Sequence, residues 1–219
     1  MSALPRIVEV RKNILKRNDE VARALRLRFQ EAGVFVVSLV SSPGSGKTAF
    51  LEKTLTLLKD DSRPAALVGD LATDNDAARL ARSGVPVRQI TTGTLCHLEA
   101  AMVEDALAEW NLDELDFLFI ENVGNLVCPA SFDVGENLRV VLLSVTEGED
   151  KPLKYPTIFN SADAAIITKM DLAETVEFDW DAVAKNIDAV RPRMPILGVS
   201  TKTGAGMSDW LAFLRRAAG

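Results

Sequence analysis

The chain is short of the residues that most often carry chemistry: among 219 residues there are one histidine and two cysteines. It also lacks any apolar run approaching the roughly 18–20 residues that span a bilayer, so no membrane association is expected. The first residues lack the apolar core of a signal peptide. With so few cysteines, this points to a reducing, cytoplasmic setting, where a cysteine is more often a ligand or a core residue than half of a disulfide. Basic charge is not in excess either. The net charge is −6, which argues against a nucleic-acid partner, because neutralising phosphates takes a basic surface. Internal repeats, low-complexity tracts and long linkers are absent. What remains, 47% hydrophobic and 26% charged residues, is ordinary for a globular protein, and the length suits one α/β domain with a full core.

Residues 6–31 read as an amphipathic helix, with Ile14, Val21, Leu25 and Phe29 at helical spacing and Arg11, Lys12, Lys16, Arg17, Arg23 and Arg26 over much of the rest. That basic side reads as a solvated face, with a partner-binding surface as the sharper alternative. We therefore divide the chain into an N-terminal helix packed on the domain, 1–34, and a nucleotide-binding domain, 35–219. Within the latter, apolar runs at 35–41, 65–69, 86–90, 117–122, 139–145, 164–168 and 195–199 alternate with helical stretches at 47–59, 75–83, 97–110, 179–190 and 207–217. Several runs are continuously hydrophobic, which suits strands covered on both faces. The expected fold is a doubly wound, mostly parallel α/β sheet, with ligands at the carboxyl ends of the strands.

The first strand runs into Ser41-Ser42-Pro43-Gly44-Ser45-Gly46-Lys47-Thr48. A Gly-rich turn between a strand and a helix aims backbone amides and the helix N-terminus at one point, which favours phosphate. Gly44, Ser45, Gly46 and Ala49 would wrap the phosphates, Lys47 would reach the β- and γ-phosphates, and the Thr48 hydroxyl would ligate Mg²⁺. The usual pattern starts with Gly where this chain has Ser41. Two later loops suit a guanine base. Thr168-Lys169-Met170-Asp171 offers a carboxylate that can accept two hydrogen bonds from guanine, whereas adenine would leave it unpaired at a cost. The usual pattern has Asn where this chain has Thr168. Ser200-Thr201-Lys202 follows the last strand and resembles the second base-contacting loop of GTPases. The expected ligands are GTP and GDP.

Carboxylates end two more strands. Asp70 closes one, with Asp74 and Asp76 after it; Asp74 also reads as the N-cap of the next helix. Glu121 closes the other, and Glu121 with Gly124 matches Asp-x-x-Gly with Glu for Asp. Thr48, Asp70, Asp76 and Glu121 are the candidate Mg²⁺ ligands, and Gly124 would offer its amide to the γ-phosphate and move on hydrolysis. Asn125 stands where Ras-like enzymes carry a water-orienting Gln, so slow intrinsic hydrolysis is expected.

Both cysteines are placed suggestively. Cys96 precedes His97, and Cys128 lies seven residues past Glu121. Thiolate and imidazole suit Ni²⁺ and Zn²⁺; two structural cysteines and a surface histidine are the plain alternative. Adjacent side chains on a helix diverge by about 100°, so the pair chelates one ion well only where the backbone is irregular or where two chains meet. Each chain offers three such ligands, which hints at a metal site shared across a homodimer.

The P-loop, the Cys96-His97 pair, the segment 119–129 and the segment 146–156, Thr-Glu-Gly-Glu-Asp-Lys-Pro-Leu-Lys-Tyr-Pro, occur together in this order. Over residues 8–217 the chain resembles the HypB family, GTPases that help insert nickel into nickel–iron hydrogenase. The resemblance implies a SIMIBI-class P-loop GTPase that dimerises with GTP and binds Ni²⁺ or Zn²⁺ through Cys96, His97 and Cys128 at the dimer interface. It implies catalytic roles for Lys47, Asp76 and Glu121, with Asp76 nearest the γ-phosphate and Mg²⁺, and contacts across the dimer from Lys151 and Lys154. The implied partners are a small nickel metallochaperone and the hydrogenase large subunit. The Cys-rich or His-rich N-terminal nickel motifs of some relatives are missing, so tight nickel storage is not expected. The alternatives are a related metallocentre GTPase of the urease accessory type, which carries Cys-x-His instead of adjacent Cys and His, and a regulatory GTPase without a metal role.

Overall fold

The computed structural model describes residues 4–71 and 75–219, so Asp74 lies outside the described residues, as do the side chains of residues 4–11, Arg11 among them. Among the described residues there are seven strands: β1 (Phe35–Ser41), β2 (Pro64–Asp70), β3 (Val87–Thr91), β4 (Phe117–Glu121), β5 (Leu138–Ser144), β6 (Ala164–Thr168) and β7 (Ile196–Gly198). They form one sheet in the order β3-β2-β4-β1-β5-β6-β7, and every pairing is parallel. The helices are α1 (Leu4–Glu31), α2 (Lys47–Leu58), α3 (Asn75–Ala81), α4 (Ala100–Ala106), α5 (Lys151–Lys154), α6 (Pro156–Ser161), α7 (Trp180–Val190) and α8 (Met207–Ala218). None of them is long and apolar enough to cross a membrane.

Alternation along each strand sorts the core into two layers. Val37, Leu39, Val140 and Leu142 face α2 and α8, where Phe50, Leu55, Trp210 and Leu214 are fully buried. Val36, Leu67 and Leu118 face α1 and α4, while Val141, Leu143 and Ile167 face α6 and α7. The sheet is thus covered on both faces, which is why its strands read as unbroken apolar runs.

Helix α1 docks through a stripe somewhat different from the one its spacing suggests. Asn18, Ala22, Leu25 and Phe29 are buried, whereas Ile14 is 49% exposed. A fully buried Leu or Phe contributes about 1.5–3 kcal/mol, against about 0–1 kcal/mol for an exposed ion pair. Leu25 and Phe29 therefore hold the helix more firmly than its charges do. Arg26 leaves the solvated basic face to donate two hydrogen bonds to the Asp133 carboxylate, at 2.7 and 2.8 Å. That carboxyl stays below the ordinary aspartate range: burial works against this, and Arg26 and the Gly135 amide prevail.

The largest departure from the sequence reading is at 97–110. The helix begins at Ala100, and Cys96–Glu99 is irregular. Leu98 is fully buried against Gly69 of β2, where a Cβ would come within 2.7 Å of the Leu98 side chain. That close approach sets residues 96–99 on the carboxyl end of β2 and keeps them out of the helix.

Candidate nucleotide cleft and metal cluster

Strand β1 lies between β4 and β5, and its carboxyl end delivers the Gly-rich turn to the middle of the sheet. Gly46, at φ +92°, reverses the chain into α2, a conformation that a side chain would resist. Lys47 and Thr48 then open the helix, facing β4. Register places Glu121 beside Leu39, so its carboxylate comes up against both. Thr48 Oγ1 donates to Glu121 Oε1 at 2.7 Å, and Lys47 Nζ lies 3.7 Å from the same oxygen. Glu121 is only 2% exposed, and its Oε2 is buried with no hydrogen-bond partner. Burial pushes this carboxyl above its ordinary range, Lys47 and Thr48 pull it back, and Asp76 raises it further.

Beside this knot opens a cleft of about 430 Å³, lined by residues 43–49 of the turn together with Asp70, Asp76, Arg79 and Gly124. A Cβ at Gly124 would sit 3.1 Å from Pro43 Cα, so the segment after Glu121 rests directly on the turn. Thr48, Asp70 and Asp76 line this cleft, Thr48 Oγ1 contacts the Glu121 carboxylate, and oxygen donors of this kind fit a hard divalent cation.

The candidate base loop is tied to the same turn. The Thr168 hydroxyl donates to the Ser45 carbonyl, and Lys169, at φ +59°, donates from Nζ to the Gly44 carbonyl at 2.8 Å. Thr168 thus supplies a tether where the usual pattern has Asn. Asp171 Oδ1 accepts from Ser200 Oγ at 2.6 Å, which joins the two candidate base loops. Thr201 is half-buried and Lys202 exposed on the second of them. Ser41, in place of the usual first Gly, is fully buried and donates to the Ser42 carbonyl at 2.8 Å. In the segment 146–156, Glu147 accepts from Ser42 Oγ and from the Ser144 amide at 2.8 Å. Lys151 packs near Glu147 and over the Tyr155 ring. Lys154 is largely exposed, with Nζ 2.6 Å from Asp150.

Cys96, His97 and Cys128 come together with their donor atoms all within 4.8 Å of one another. Donor atoms on one tetrahedral ion at about 2.0–2.3 Å lie ~3.3–3.8 Å apart, so the cluster is about 1 Å from the spacing of a closed metal site. Cys96 Sγ donates to Cys128 Sγ at 2.8 Å, and this bond pushes the Cys96 thiol above its ordinary range, burial adding to it. Both ring nitrogens of His97 are buried without a hydrogen bond; Nε2 lies 3.5 Å from Glu99. Two partly exposed thiols and an unpartnered imidazole fit a borderline-soft divalent ion such as nickel or zinc.

Three supporting residues have no local signature in the sequence. The Phe132 ring stacks on His97 at 3.8 Å between centroids. Asn122 Oδ1 accepts from the Leu98 amide at 3.0 Å. Asn125 Nδ2 donates to the Cys96 carbonyl at 3.2 Å, so the residue standing where a catalytic Gln would be expected stitches the two cysteine-bearing loops together.

The family profile described as the CobW/HypB/UreG nucleotide-binding domain matches residues 35–198. The hydrogenase maturation factor HypB of Azotobacter vinelandii is 49% identical over 216 residues, covering 98% of this chain and 71% of that protein. Among solved structures, HypB of Helicobacter pylori in complex with nickel superposes with a TM-score of 0.87 at 45% identity, over 92% of this chain and 95% of that one. HypB of Archaeoglobus fulgidus gives a TM-score of 0.86 at 39% identity, over 93% and 100%.

Proposed function

The chain belongs to the CobW/HypB/UreG family and, within it, to the HypB hydrogenase maturation factors, and from that premise we propose that it is a GTP-hydrolysing metallochaperone for nickel insertion into nickel–iron hydrogenase. The observation that carries this reading is a single segment. Glu121 touches Lys47 and Thr48, Gly124 rests on Pro43, and Cys128 closes the thiol pair.

Lys47 and Thr48 are the groups that a Mg²⁺-bound nucleotide engages. With GTP bound, Lys47 would turn to its phosphates and Thr48 would help to hold Mg²⁺, so the buried Glu121 carboxylate would lose its partners. Removing one partner of a buried ion pair costs about 3–5 kcal/mol, enough to drive a rearrangement of the segment or to recruit Glu121 to the Mg²⁺ shell. Asp70 and Asp76 would help to hold the Mg²⁺, and Asp171 would select guanine. In the proposed cycle GTP favours a homodimer, with Lys154 reaching across and Lys151 supporting it, and hydrolysis loosens the Cys96, His97 and Cys128 site. Nickel is cargo here, passed from a small metallochaperone to the hydrogenase large subunit, and zinc competes for the same donors. Slow turnover fits a switch, and the chain acts in the cytoplasm.

Two measurements on one preparation test this. Light scattering should show a dimer with a non-hydrolysable GTP analogue and Mg²⁺ and a larger monomer fraction with GDP. Turnover should release phosphate from GTP and not from ATP. Equal use of ATP, or a mass indifferent to nucleotide, would overturn the reading.

A further inference from the structure

Asn18 is among the buried polar side chains that the mechanism leaves unused. Asn18 is 6% exposed in the apolar stripe of α1. Its Oδ1 accepts from the Ala100 amide at 2.8 Å, across 82 residues. Its Nδ2 donates to the Asp133 carbonyl at 2.8 Å, across 115 residues. Ala100 opens α4, whose N-cap residue Glu99 provides no side-chain cap, so Asn18 satisfies an amide that the helix leaves orphaned. Ala100 lies three residues after His97. Asp133 adjoins Phe132, whose ring lies on His97.

We propose that Asn18 is a positioning residue for the metal site, a bridge from the N-terminal helix that holds the Cys96-His97 loop in register with the loop carrying Cys128 and Phe132. This rests on the metal-binding reading above. No hydrogen bond orients His97, so its ring is set by the Phe132 stack, by the Glu99 carboxylate 3.5 Å from Nε2 and by the backbone of 96–100. Asn18 fixes the backbone on both sides. Asn122 and Asn125 also link the loops, but both belong to the moving segment. Asn18 alone of these three anchors it to a helix outside the nucleotide machinery.

The test is a competition titration of Ni²⁺ into the full chain, followed by the thiolate-to-nickel charge-transfer band, with GDP affinity measured alongside. Direct hydrogen-bond partners of a metal ligand typically tune affinity by about 10–100-fold, and Asn18, which bonds the backbone of Ala100 and Asp133 rather than a ligand, belongs at the low end of that range. Asn18→Ala is expected to weaken Ni²⁺ binding by at least about tenfold and to shift the band, with GDP affinity unchanged. Arg26→Ala removes the other α1 contact to Asp133 and leaves Ala100 alone; it should lower the melting temperature with Ni²⁺ affinity within about twofold of the parent. Should Asn18→Ala not fold, Asn18→Asp keeps the acceptor for Ala100 and loses the donor to Asp133, and it too must weaken Ni²⁺ binding. Parent-like affinity in the folded Asn18 variant, or an equal loss in Arg26→Ala, overturns the bridge. A parent chain that binds no Ni²⁺ overturns the metal reading beneath it.

Discussion

Lys47 and Glu121 are placed to serve both stability and the proposed chemistry. Each is buried, and each is the other's main charge partner. Lys47→Ala should nearly abolish GTP hydrolysis, because a preorganised cation on the transferring phosphoryl group is lost. It should also leave Glu121 buried without its cation, so the apo variant should melt lower while keeping its circular dichroism. Turnover close to the parent's would refute the assignment. Asp171 makes a sharper case. Ser200 already orients its carboxylate, and losing charge-assisted hydrogen bonds worth about 1.5–3 kcal/mol each should cost Asp171→Asn at least about tenfold in GTP affinity and turn preference toward xanthosine triphosphate. Nucleotide competition checks it; an unchanged preference would contradict the base-loop reading. At this scale the sequence was legible wherever roles are local. The P-loop and the acids at strand ends are contiguous patterns. Phe132 and Asn18 act across long sequence separations and leave no such pattern, although a lone Asn inside an apolar helical stripe is a signal that could have exposed Asn18.

At the scale of elements, the strands are legible almost to the residue, since burial on both faces makes each an unbroken apolar run. The short helices α5 and α6 are not legible, because Pro152 and Pro156 open them and neither is long enough to show a period. The stretch 97–110 misled because its apolar residues keep helical spacing, while Leu98 is held by Gly69 rather than by a helix. Gly69→Ala should therefore act at a distance. Its Cβ would overlap Leu98, and overpacking a filled core costs about 1–3 kcal/mol, so both the melting temperature and Ni²⁺ affinity should fall; a fall in melting temperature alone would mean that Leu98 does not seat the loop. The dock of α1 should show in acid. The Asp133 carboxyl is held below its ordinary value, so its stabilisation is complete above about pH 3.9 and is lost as pH falls from there through the lower folded value. Asp133→Asn should lower stability by about 0.5–1 kcal/mol at pH 7. The gap from the parent should narrow in urea unfolding as pH falls below about 3.9, and a gap constant with pH would contradict the assignment.

For the whole molecule, the parallel sheet and its central P-loop strand followed from alternating strand and helix patterns, whereas the meeting of Cys96 with Cys128 did not. That contact depends on β2 and β4 being neighbours, so that the carboxyl end of β4 lies next to the loop seated on β2. In the proposed cycle the molecule is a two-input switch, in which one segment, Glu121 to Cys128, would report the nucleotide to the metal. Linkage requires the effect to be reciprocal: GTP must change nickel affinity by the same factor by which nickel changes GTP affinity. Calorimetric titration of Ni²⁺ into the chain loaded with Mg²⁺–GDP, and then with Mg²⁺ and a non-hydrolysable GTP analogue, tests this most directly. The account predicts affinities differing by about 5–150-fold, with binding lost in both states in the Cys96→Ala, Cys128→Ala double variant; equal affinities in the two nucleotide states would contradict it.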